Sequence, residues 1–439
     1  MMERPTIWAY GLAPDVLLET IAGETRLNSP MGSINLTDDA HVTLAQKLAL
    51  GFMSETDLTN FVSGNPAAED VCASFLFRLD QRGFLCRFVM QDDKPIAVCV
   101  PQRSPVSGLP NFTPKNSLRL SRETLLSPQK QGLQARVPGS WASMQLLDAK
   151  LSPLIFELSA GSDFANAANS VPEIEQEVFE AVICLFAWCG LLECDEKPAA
   201  PVHETLFVER TRLGFTRAHI GKTGAAQRPT QAPGNDPEIV LPKHDLAALA
   251  AGDPPFAVVS RNRQSRREQG RTPIAKDQVS ELLFRCFHPL GQHHSYPSGG
   301  GLYALTAYLL VNRCEGLEAG LYVYDSAEHG LNMIAEVNAL LCSMLKDAAA
   351  SANRSEHTQA LLLLSADMTA VRAAYGDLAY ALVLKEVGAV YQNIQLVGTA
   401  MKLATCPLGT ANSVAFAAVS GRDLHNMPLV GEMMIGSIE

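Results

Sequence analysis

The C-terminal half of the chain contains the run Ser260-Arg-Asn-Arg-Gln-Ser-Arg-Arg-Glu-Gln-Gly-Arg271, followed at 296–303 by Tyr-Pro-Ser-Gly-Gly-Gly-Leu-Tyr. The first run carries five arginines and one carboxylate, Glu268. A guanidinium group matches the oxygens of a phosphate, and a glycine triplet lets backbone amides approach a ligand closely. The two segments together predict a site for a flat ligand that bears a phosphate. Taken alone, the arginine run is also typical of a solvated charged face ahead of a helix.

The segments around these motifs predict a mixture of helices and strands. Residues 274–287 have apolar residues at helical spacing after Thr272-Pro273, and the apolar residues 302–312 predict a strand. Residues 378–403 are almost continuously apolar, which predicts a long helix that is buried nearly all round and shared between the core and a subunit contact. The segment 430–436 predicts a closing strand. We therefore expect a homodimer.

Composition excludes several classes of function. The net charge of −11 argues against binding to nucleic acid or to anionic membranes, because both require a cationic surface. The longest apolar run, 181–192, is too short for a membrane span, and the N-terminus lacks the pattern of a secretory signal. Ten cysteines without a Cys-x-x-Cys pair predict neither a metal site nor disulfides and are typical of a cytoplasmic protein. The glycine spacing of a dinucleotide-binding fingerprint is absent.

Changes in composition predict the domain organisation. A first unit at 1–102 is followed by a stretch rich in proline, serine and asparagine, and a second unit lies at 117–214. Four prolines and little apolar periodicity predict a linker at 215–244. The unit at 245–439 contains the arginine run and the glycine triplet.

The first two units share a pattern. Cys72-Ala-Ser-Phe-Leu-Phe-Arg-Leu leads to Gly83, and Glu180-Ala-Val-Ile-Cys-Leu-Phe-Ala leads to Gly190, 107 residues later. Each copy predicts an apolar helix that ends at a glycine and continues into a short strand, and Ser54-Glu-Thr-Asp57 predicts a capped helix start before the first copy. The exposed edge of such a strand can bind an extended peptide. The alternative is that these units are folded spacers or dimer-packing modules.

The motifs together resemble a known family, the SagB-type FMN-dependent dehydrogenases of the nitroreductase superfamily, and in particular the azoline oxidases that modify ribosomally made peptides, such as cyanobactin oxidases. The resemblance rests on the two quoted runs, on Val311-Asn-Arg-Cys-Glu-Gly-Leu, on Gly320-Leu-Tyr-Val-Tyr-Asp325, on Ala379-Tyr-Ala-Leu-Val-Leu-Lys-Glu-Val-Gly388 and on Val430-Gly-Glu432. It implies an α+β fold, with a nitroreductase-like FMN-binding domain at the C-terminus preceded by two winged-helix-like modules that hold a precursor peptide. It also implies a homodimer and a complex with a cyclodehydratase-type partner.

The resemblance assigns roles to individual residues. It places the FMN phosphate and ribityl chain on Arg263, Ser265 and Arg267, with Gln264 near the ring. It implies that Pro297, Ser298 and Gly299 contact the ring from the partner subunit. It also implies that Leu408 and Gly409, in the loop after the long helix, line the ring.

The implied reaction is the oxidation of an azoline to an azole, in which a base removes a proton while hydride passes to the flavin. Many family members have Lys-Tyr where this chain has Ala374-Tyr375, so Tyr375 is the candidate base, with Arg372 as a cationic neighbour that could lower its pKa. A packed aromatic with a satisfied hydroxyl is the alternative for Tyr375. The chain also has Gly409-Thr-Ala-Asn-Ser413 where the family usually has a glycine-rich stretch.

Two other functions remain open from the sequence. One is a non-catalytic scaffold that uses the flavin fold to recruit a peptide to another enzyme. The other is a nitroreductase-like enzyme that acts on small molecules with a nicotinamide donor.

Overall fold

The computed structural model describes residues 7–21, 23–30, 32–63, 66–105, 117–193, 201–212, 222, 224, 237–289, 291, 294–354, 356 and 358–438, without the side chains of 66–71. The chain divides into two units, Met1–His219 and Ile220–Glu439. Each unit is described separately below.

The N-terminal unit combines an antiparallel sheet with helices on its faces. Its described strands are β1 (Trp8–Leu12), β2 (Leu17–Ile21), β3 (Glu24–Ser29), β4 (Gly32–Leu36), β5 (Phe52–Ser54), β6 (Leu85–Gln91), β7 (Lys94–Pro101), β8 (Leu125–Pro128), β9 (Leu133–Arg136) and β10 (Ala142–Leu146). Its described helices are α1 (Asp39–Ala49), α2 (Glu55–Val62), α3 (Pro66–Gln81), α4 (Ser152–Ala160), α5 (Phe164–Asn169), α6 (Gln176–Trp188) and α7 (Val202–Thr211).

One seven-stranded sheet runs through this unit in the order β5-β1-β6-β7-β10-β9-β8, and β2, β3 and β4 form a separate three-stranded sheet. Strands from the two predicted modules, 1–102 and 117–214, meet in the larger sheet, where β7 pairs with β10. One apolar core lies beneath α1 and α3, and a second lies beneath α4 and α6. The two predicted modules therefore share a sheet, and their description as winged-helix-like remains a prediction.

The repeated pattern has the same backbone geometry in both copies. Gly83 and Gly190 have φ values of 67° and 70°, in the left-handed region that favours glycine. After Gly83, the amide of Phe84 donates to the carbonyl of Leu79, and after Gly190, the amide of Leu191 donates to the carbonyl of Phe186. Both helices thus end in the same glycine cap, which satisfies carbonyls of the last turn.

The C-terminal unit is also built on an antiparallel sheet. Its described strands are β11 (Ile239–Val240), β12 (Ile274–Ala275), β13 (Leu305–Val311), β14 (Cys314–Glu315), β15 (Gly320–Asp325), β16 (Gly330–Glu336), β17 (Ala360–Ala366), β18 (Leu403–Leu408) and β19 (Leu429–Ser437). Its described helices are α8 (Leu246–Gly252), α9 (Phe256–Asn262), α10 (Lys276–Phe287), α11 (Ala339–Ser351), α12 (Met368–Tyr375), α13 (Ala379–Ala400) and α14 (Ser413–Ser420).

The main sheet of this unit has the strand order β11-β16-β15-β13-β17-β19-β18. Helices α10 and α13 pack on one face, and α11 and α14 pack on the other. All seven residues of β17 are buried, because the strand is covered on both faces, and this explains its continuous apolar sequence. Helix α13 is the predicted long helix, but in the single chain Tyr380 and Leu384 are 42% and 41% exposed, so it is not buried all round.

The C-terminal part of the predicted linker belongs to this sheet. Strand β11 pairs with β16, and Leu241 is buried in the core. His244 contributes its ring nitrogen to a hydrogen bond with the Ser280 hydroxyl. Residues 237–244 are therefore part of the domain, because their few apolar residues pack against its edge strand. Of the remainder of the predicted linker, 215–236, only Lys222 and Gly224 fall among the described residues.

Within the described part of the chain, no helix is both long enough and apolar enough to cross a membrane.

Candidate functional site

The arginine run begins in the last turn of α9 and continues beside the edge strand β18. The backbone N–H of Arg266 donates to the carbonyl of Thr405 at 3.0 Å, so the run extends alongside the sheet. Further along, the Gln269 side chain donates to Thr358 Oγ1 at 2.7 Å and fixes the end of the run. The run is therefore a backbone segment held in place by the sheet, whose exposed side chains are available to a ligand.

Gln395 of α13 holds two of the predicted phosphate ligands. Arg263 donates from its guanidinium to Gln395 Oε1 at 3.3 Å, and Gln395 Nε2 donates to Ser265 Oγ at 3.1 Å. Gln395 is 5% exposed, so its position is fixed by packing. The sequence analysis missed this residue, although a glutamine within an apolar helix is a signal for a buried polar contact.

A crevice of about 570 Å³ lies along the run. It is lined by Gln264, Ser265, Arg266, Arg267, Glu268, Ser351, Ala352, Asn353 and Arg354. Three guanidinium groups and one carboxylate give this crevice a net positive charge, and Arg354 pairs with Glu268 at 3.2 Å. Its donors suit an anion such as a phosphate. Three of the four predicted polar ligands line it, whereas Arg263 does not; Arg354, three residues after α11, was not predicted.

The glycine turn at 297–301 is fixed by a buried carboxyl. Ser298 Oγ donates to Glu386 Oε2 at 2.7 Å and accepts a hydrogen bond from the backbone N–H of Tyr303 at 2.9 Å. Gly300 and Gly301 have φ values of 65° and 67°, which explains the need for glycine here. Pro297 is exposed, and Gly299 is half-buried.

Tyr375 lies against this turn. A Cβ atom added to Gly300 would be 2.5 Å from the Tyr375 hydroxyl oxygen, so the hydroxyl contacts the backbone of the turn. The predicted cationic neighbour points elsewhere, because Arg372 donates to Asn426 Oδ1 at 3.1 Å and to the carbonyl of His425 at 3.0 Å. Ala374 is fully buried. The structure therefore brings Tyr375 to the turn without placing the guanidinium of Arg372 on it.

Glu386 of α13 is the ionisable group that holds the turn. It is 6% exposed, and burial raises its pKa to about 7 against the opposing effect of the hydrogen bond from Ser298. Its second carboxyl oxygen, Oε1, is buried and has no hydrogen-bond partner among the described residues. The sequence analysis did not single out this residue. A carboxyl in this state can gain or lose a proton near neutral pH.

Leu408 and Gly409 lie at the end of β18. Leu408 is 8% exposed and belongs to the core beneath α11 and α14, whereas Gly409 is exposed. The predicted site residues thus form an arginine group at 263–267, a turn group at 297–299 with Tyr375, and this strand end. Glu386 and Gln395, which hold the turn and arginine groups, are about 13 Å apart along α13 at 1.5 Å per residue.

Comparison with known proteins places the C-terminal region in a family. Residues 260–436 match the profile of the Nitroreductase family. The chain is 28% identical over 181 residues to a protein of Methanocaldococcus jannaschii that bears a nitroreductase name, a match covering 40% of this chain and 85% of the relative. The C-terminal region therefore contains a nitroreductase-family domain, and the predicted nitroreductase-like fold is confirmed there.

Solved structures with similar folds include a protein of Ralstonia eutropha described as a nitroreductase, with 19% identity and a TM-score of 0.39. The match covers 50% of this chain and 98% of that one. Another is the E. coli microcin synthetase McbBCD complex with truncated pro-MccB17 bound, with 20% identity and a TM-score of 0.36, covering 49% of this chain and 89% of that one.

Proposed function

We propose that this protein is an FMN-dependent oxidoreductase that oxidises azolines to azoles in a ribosomally made precursor peptide. The observation that carries the proposal is that the nitroreductase-family domain presents an arginine-lined crevice together with a separate left-handed glycine turn that contacts Tyr375. The family match supports an oxidoreductase, and the arrangement of the residues supports the cofactor. The peptide and the azoline rest on the sequence resemblance.

The residues present fit the chemistry of FMN. The donors of Ser265, Arg267 and Arg354 would bind the phosphate, because charge-assisted hydrogen bonds to guanidinium are among the strongest available to it. The backbone at 297–299 would approach the ring, and Leu408 and Gly409 would line it. When bound, FMN supplies the two-electron acceptor, while the protein orients the reactants and excludes competing reactions.

Tyr375 is the proposed base of the reaction. Oxidation of an azoline removes one proton and one hydride from adjacent ring atoms, and bound FMN would supply the acceptor for the hydride. Tyr375 would take the proton, or it would orient the azoline while a solvent molecule takes the proton. The position of this hydroxyl against Gly300 supports a role at the turn in either case.

A homodimer is part of the proposal. Leu384 and Gly388 lie on an exposed strip of α13, and apart from the adjoining residues and backbone of the helix itself, no atom of the described residues lies within 4 Å of the position that a Cβ on Gly388 would take. An apolar strip with room for close approach suits the same helix of a second copy. The precursor peptide and a cyclodehydratase-type enzyme are the proposed partners, and the exposed outer strands β5 and β8 of the N-terminal sheet are candidate edges for the peptide.

The first test is whether the purified protein binds FMN. We expect a yellow protein with a flavin absorption spectrum, and a loss of affinity of about tenfold for each of Arg267→Ala and Arg354→Ala, since each removes a charge-assisted hydrogen bond. Arg271→Ala is the matched control, because it removes an exposed arginine that does not line the crevice. A protein that takes up no FMN would refute the proposal.

The second test concerns the substrate. Incubation of the flavin-loaded protein with azoline-containing peptide and oxygen should lower the peptide mass by two hydrogens, as measured by mass spectrometry. Tyr375→Phe should lower the rate and leave FMN affinity unchanged. If turnover in a complete biosynthetic system is unchanged after Tyr375→Phe and Arg263→Ala, the protein is a non-catalytic scaffold instead.

A small-molecule reductase is the second candidate, because the relative from M. jannaschii bears a nitroreductase name. This candidate predicts rapid bleaching of the bound flavin by NADPH and turnover of a nitroaromatic compound. Flavin reduction by the azoline peptide and none by NADPH would favour the oxidase.

A further inference from the structure

A second crevice, which we call the acidic crevice, lies beside the strand end that carries Leu408 and Gly409. Its volume is about 430 Å³. It is lined by Asp347, Ser351, Thr410, Ala411, Asn412, Ser413, Val414 and Glu432. Two of these side chains are carboxylic acids, and none is cationic. The charge of the crevice is therefore opposite to that of the arginine-lined one.

Glu432 is the unusual member of this lining. It is 3% exposed, and among the described residues no donor lies within hydrogen-bonding distance of its carboxyl group. It sits in β19 between Leu363 of β17 and Leu408 of β18, on the sheet face covered by α11 and α14. Buried carboxyl groups usually have a hydrogen-bond or charge partner. The carboxyl group of Glu432 has none among the described residues, and a bound ligand can supply one.

The rim of the crevice is ordered by polar contacts. Asn412 Nδ2 donates to Asp347 Oδ2 at 2.7 Å, and the hydroxyl oxygens of Ser351 and Thr410 are 2.7 Å apart. These contacts tie the loop at 409–413 to α11. This loop is the stretch that departs from the glycine-rich sequence usual in the resembled family, and its hydroxyl and amide side chains form one wall of the crevice.

We propose that the acidic crevice binds a primary alkylammonium group, such as the side chain of a lysine in the substrate. That this ammonium group belongs to the substrate rests on the proposed function, because the crevice adjoins the strand end proposed to line the flavin ring. An ammonium group has three donors and one charge, which suit the Glu432 carboxylate at the floor, the Asp347 carboxylate at the rim and the neighbouring hydroxyl oxygens. The apolar Val414 can cover the alkyl chain.

Binding should depend on pH. Burial, and to a smaller extent the nearby charge of Asp347, raise the pKa of Glu432 to about 8. The ammonium group must therefore displace a proton from Glu432 at neutral pH. Asp347 on α11 is the charged group that faces it, and Tyr391 of α13 accepts from its backbone N–H. Affinity should increase about 25-fold between pH 6.5 and 8.5, because an alkylammonium stays protonated over this range.

Isothermal titration calorimetry of the full-length protein tests this proposal. The probes are n-butylammonium and N-acetyl-lysinamide, with n-butanol as the neutral control. We expect saturable binding of both ammonium compounds, no binding of n-butanol, and proton release, detected by comparing buffers with different ionisation enthalpies. If N-acetyl-lysinamide binds more weakly than n-butylammonium, the claim that the ammonium group comes from a lysine side chain of a peptide is overturned.

Variants separate the crevice from other carboxylates. Glu432→Gln should abolish measurable binding together with its pH dependence, and Asp347→Asn should weaken binding about tenfold because one charge is lost. Glu328→Gln, which removes an exposed carboxylate elsewhere in the domain, should leave binding unchanged. Binding that Asp347→Asn leaves unchanged overturns the proposal, and this variant is exposed, so it does not depend on the folding of Glu432→Gln.

The outcome is distinguishable from failure of the proposed function. FMN affinity is measured separately on the same proteins, and both crevice variants should retain it. If the protein binds no flavin, the proposed function fails, whereas the ammonium titration still decides whether the acidic crevice is a cation site. Absence of saturable ammonium binding at pH 8.5 in a flavin-loaded protein overturns this inference alone.

Discussion

The substitution Glu386→Gln should change how the stability of the C-terminal unit depends on pH. In the folded protein, burial raises the pKa of Glu386 from 4.5 to about 7. The folded state therefore holds a proton that the unfolded state loses at a lower pH. The free energy that the protonated Glu386 contributes to the stability of the folded state is fully present below pH 4.5 and is lost as the pH rises through 7. Glutamine cannot ionise, so the variant does not lose this part of its stability as the pH rises.

The magnitude follows from the size of the shift. One pKa unit corresponds to 1.36 kcal/mol, so between pH 5.5 and 8.5 the wild type should lose about 2 kcal/mol of unfolding free energy through this residue, most of it below pH 7. The glutamine oxygen can still accept from Ser298, but its buried NH2 group lacks an acceptor, which costs about 1–3 kcal/mol at every pH. The constant cost and the pH-dependent gain are separable because only the second changes with pH.

Urea unfolding at pH 5.5, 7.0 and 8.5 provides the assay, followed by far-UV circular dichroism and tryptophan fluorescence. All three tryptophans, Trp8, Trp141 and Trp188, lie in the N-terminal unit, so fluorescence reports that unit and serves as an internal control. The difference in stability between variant and wild type should shift by about 2 kcal/mol in favour of the variant from pH 5.5 to 8.5. A difference that stays constant across this range, as expected for the control Glu328→Gln, would refute the reasoning.

Three further perturbations test other contacts. Gln395→Ala should weaken FMN binding about tenfold, because Arg263 and Ser265 lose the hydrogen bonds that orient them, and Gln395→Glu, which keeps an acceptor for Arg263, should recover part of the affinity in a fluorescence titration. Gly300→Ala should lower the stability of the C-terminal unit by about 1–2 kcal/mol in urea unfolding, because position 300 has a left-handed backbone and the added Cβ would contact the Tyr375 hydroxyl. Unchanged stability would contradict this. Ser54→Ala should lower the stability of the N-terminal unit by about 1 kcal/mol, measured by tryptophan fluorescence, because it removes a capping box, and Ser54→Asp should restore most of it.

Elements with a strong local pattern were predictable from the sequence. The helix expected at 274–287 begins at Lys276, the strand expected at 302–312 spans Leu305–Val311, and the helix expected at 378–403 spans Ala379–Ala400. The capping box at Ser54 is also present. These signals depend on residues near each other in the chain, so local periodicity and helix-start chemistry are enough to find them.

The contacts that organise the candidate site were not predictable in this way. Gln395 meets Ser265 across 130 residues, Glu386 meets Ser298 across 88, and Arg354 meets Glu268 across 86. Each contact depends on the strand order and on which helix packs on which face of the sheet, and neither follows from local periodicity. The arginine and glycine motifs identified the parts of the site, whereas the residues that hold those parts belong to other elements.

The geometry of α13 explains why the predicted site residues do not form one crevice in a single chain. Glu386 and Gln395 are nine residues apart, which is two and a half turns at 3.6 residues per turn, so they lie on opposite sides of the helix. Glu386 fixes the glycine turn on one side, and Gln395 fixes the arginine run on the other. The arginine run and the glycine turn of one chain are therefore held on different sides of the helix. This supports the proposal that the turn of a second copy completes the site, with the exposed strip of α13 that contains Leu384 and Gly388 as the contact between the copies.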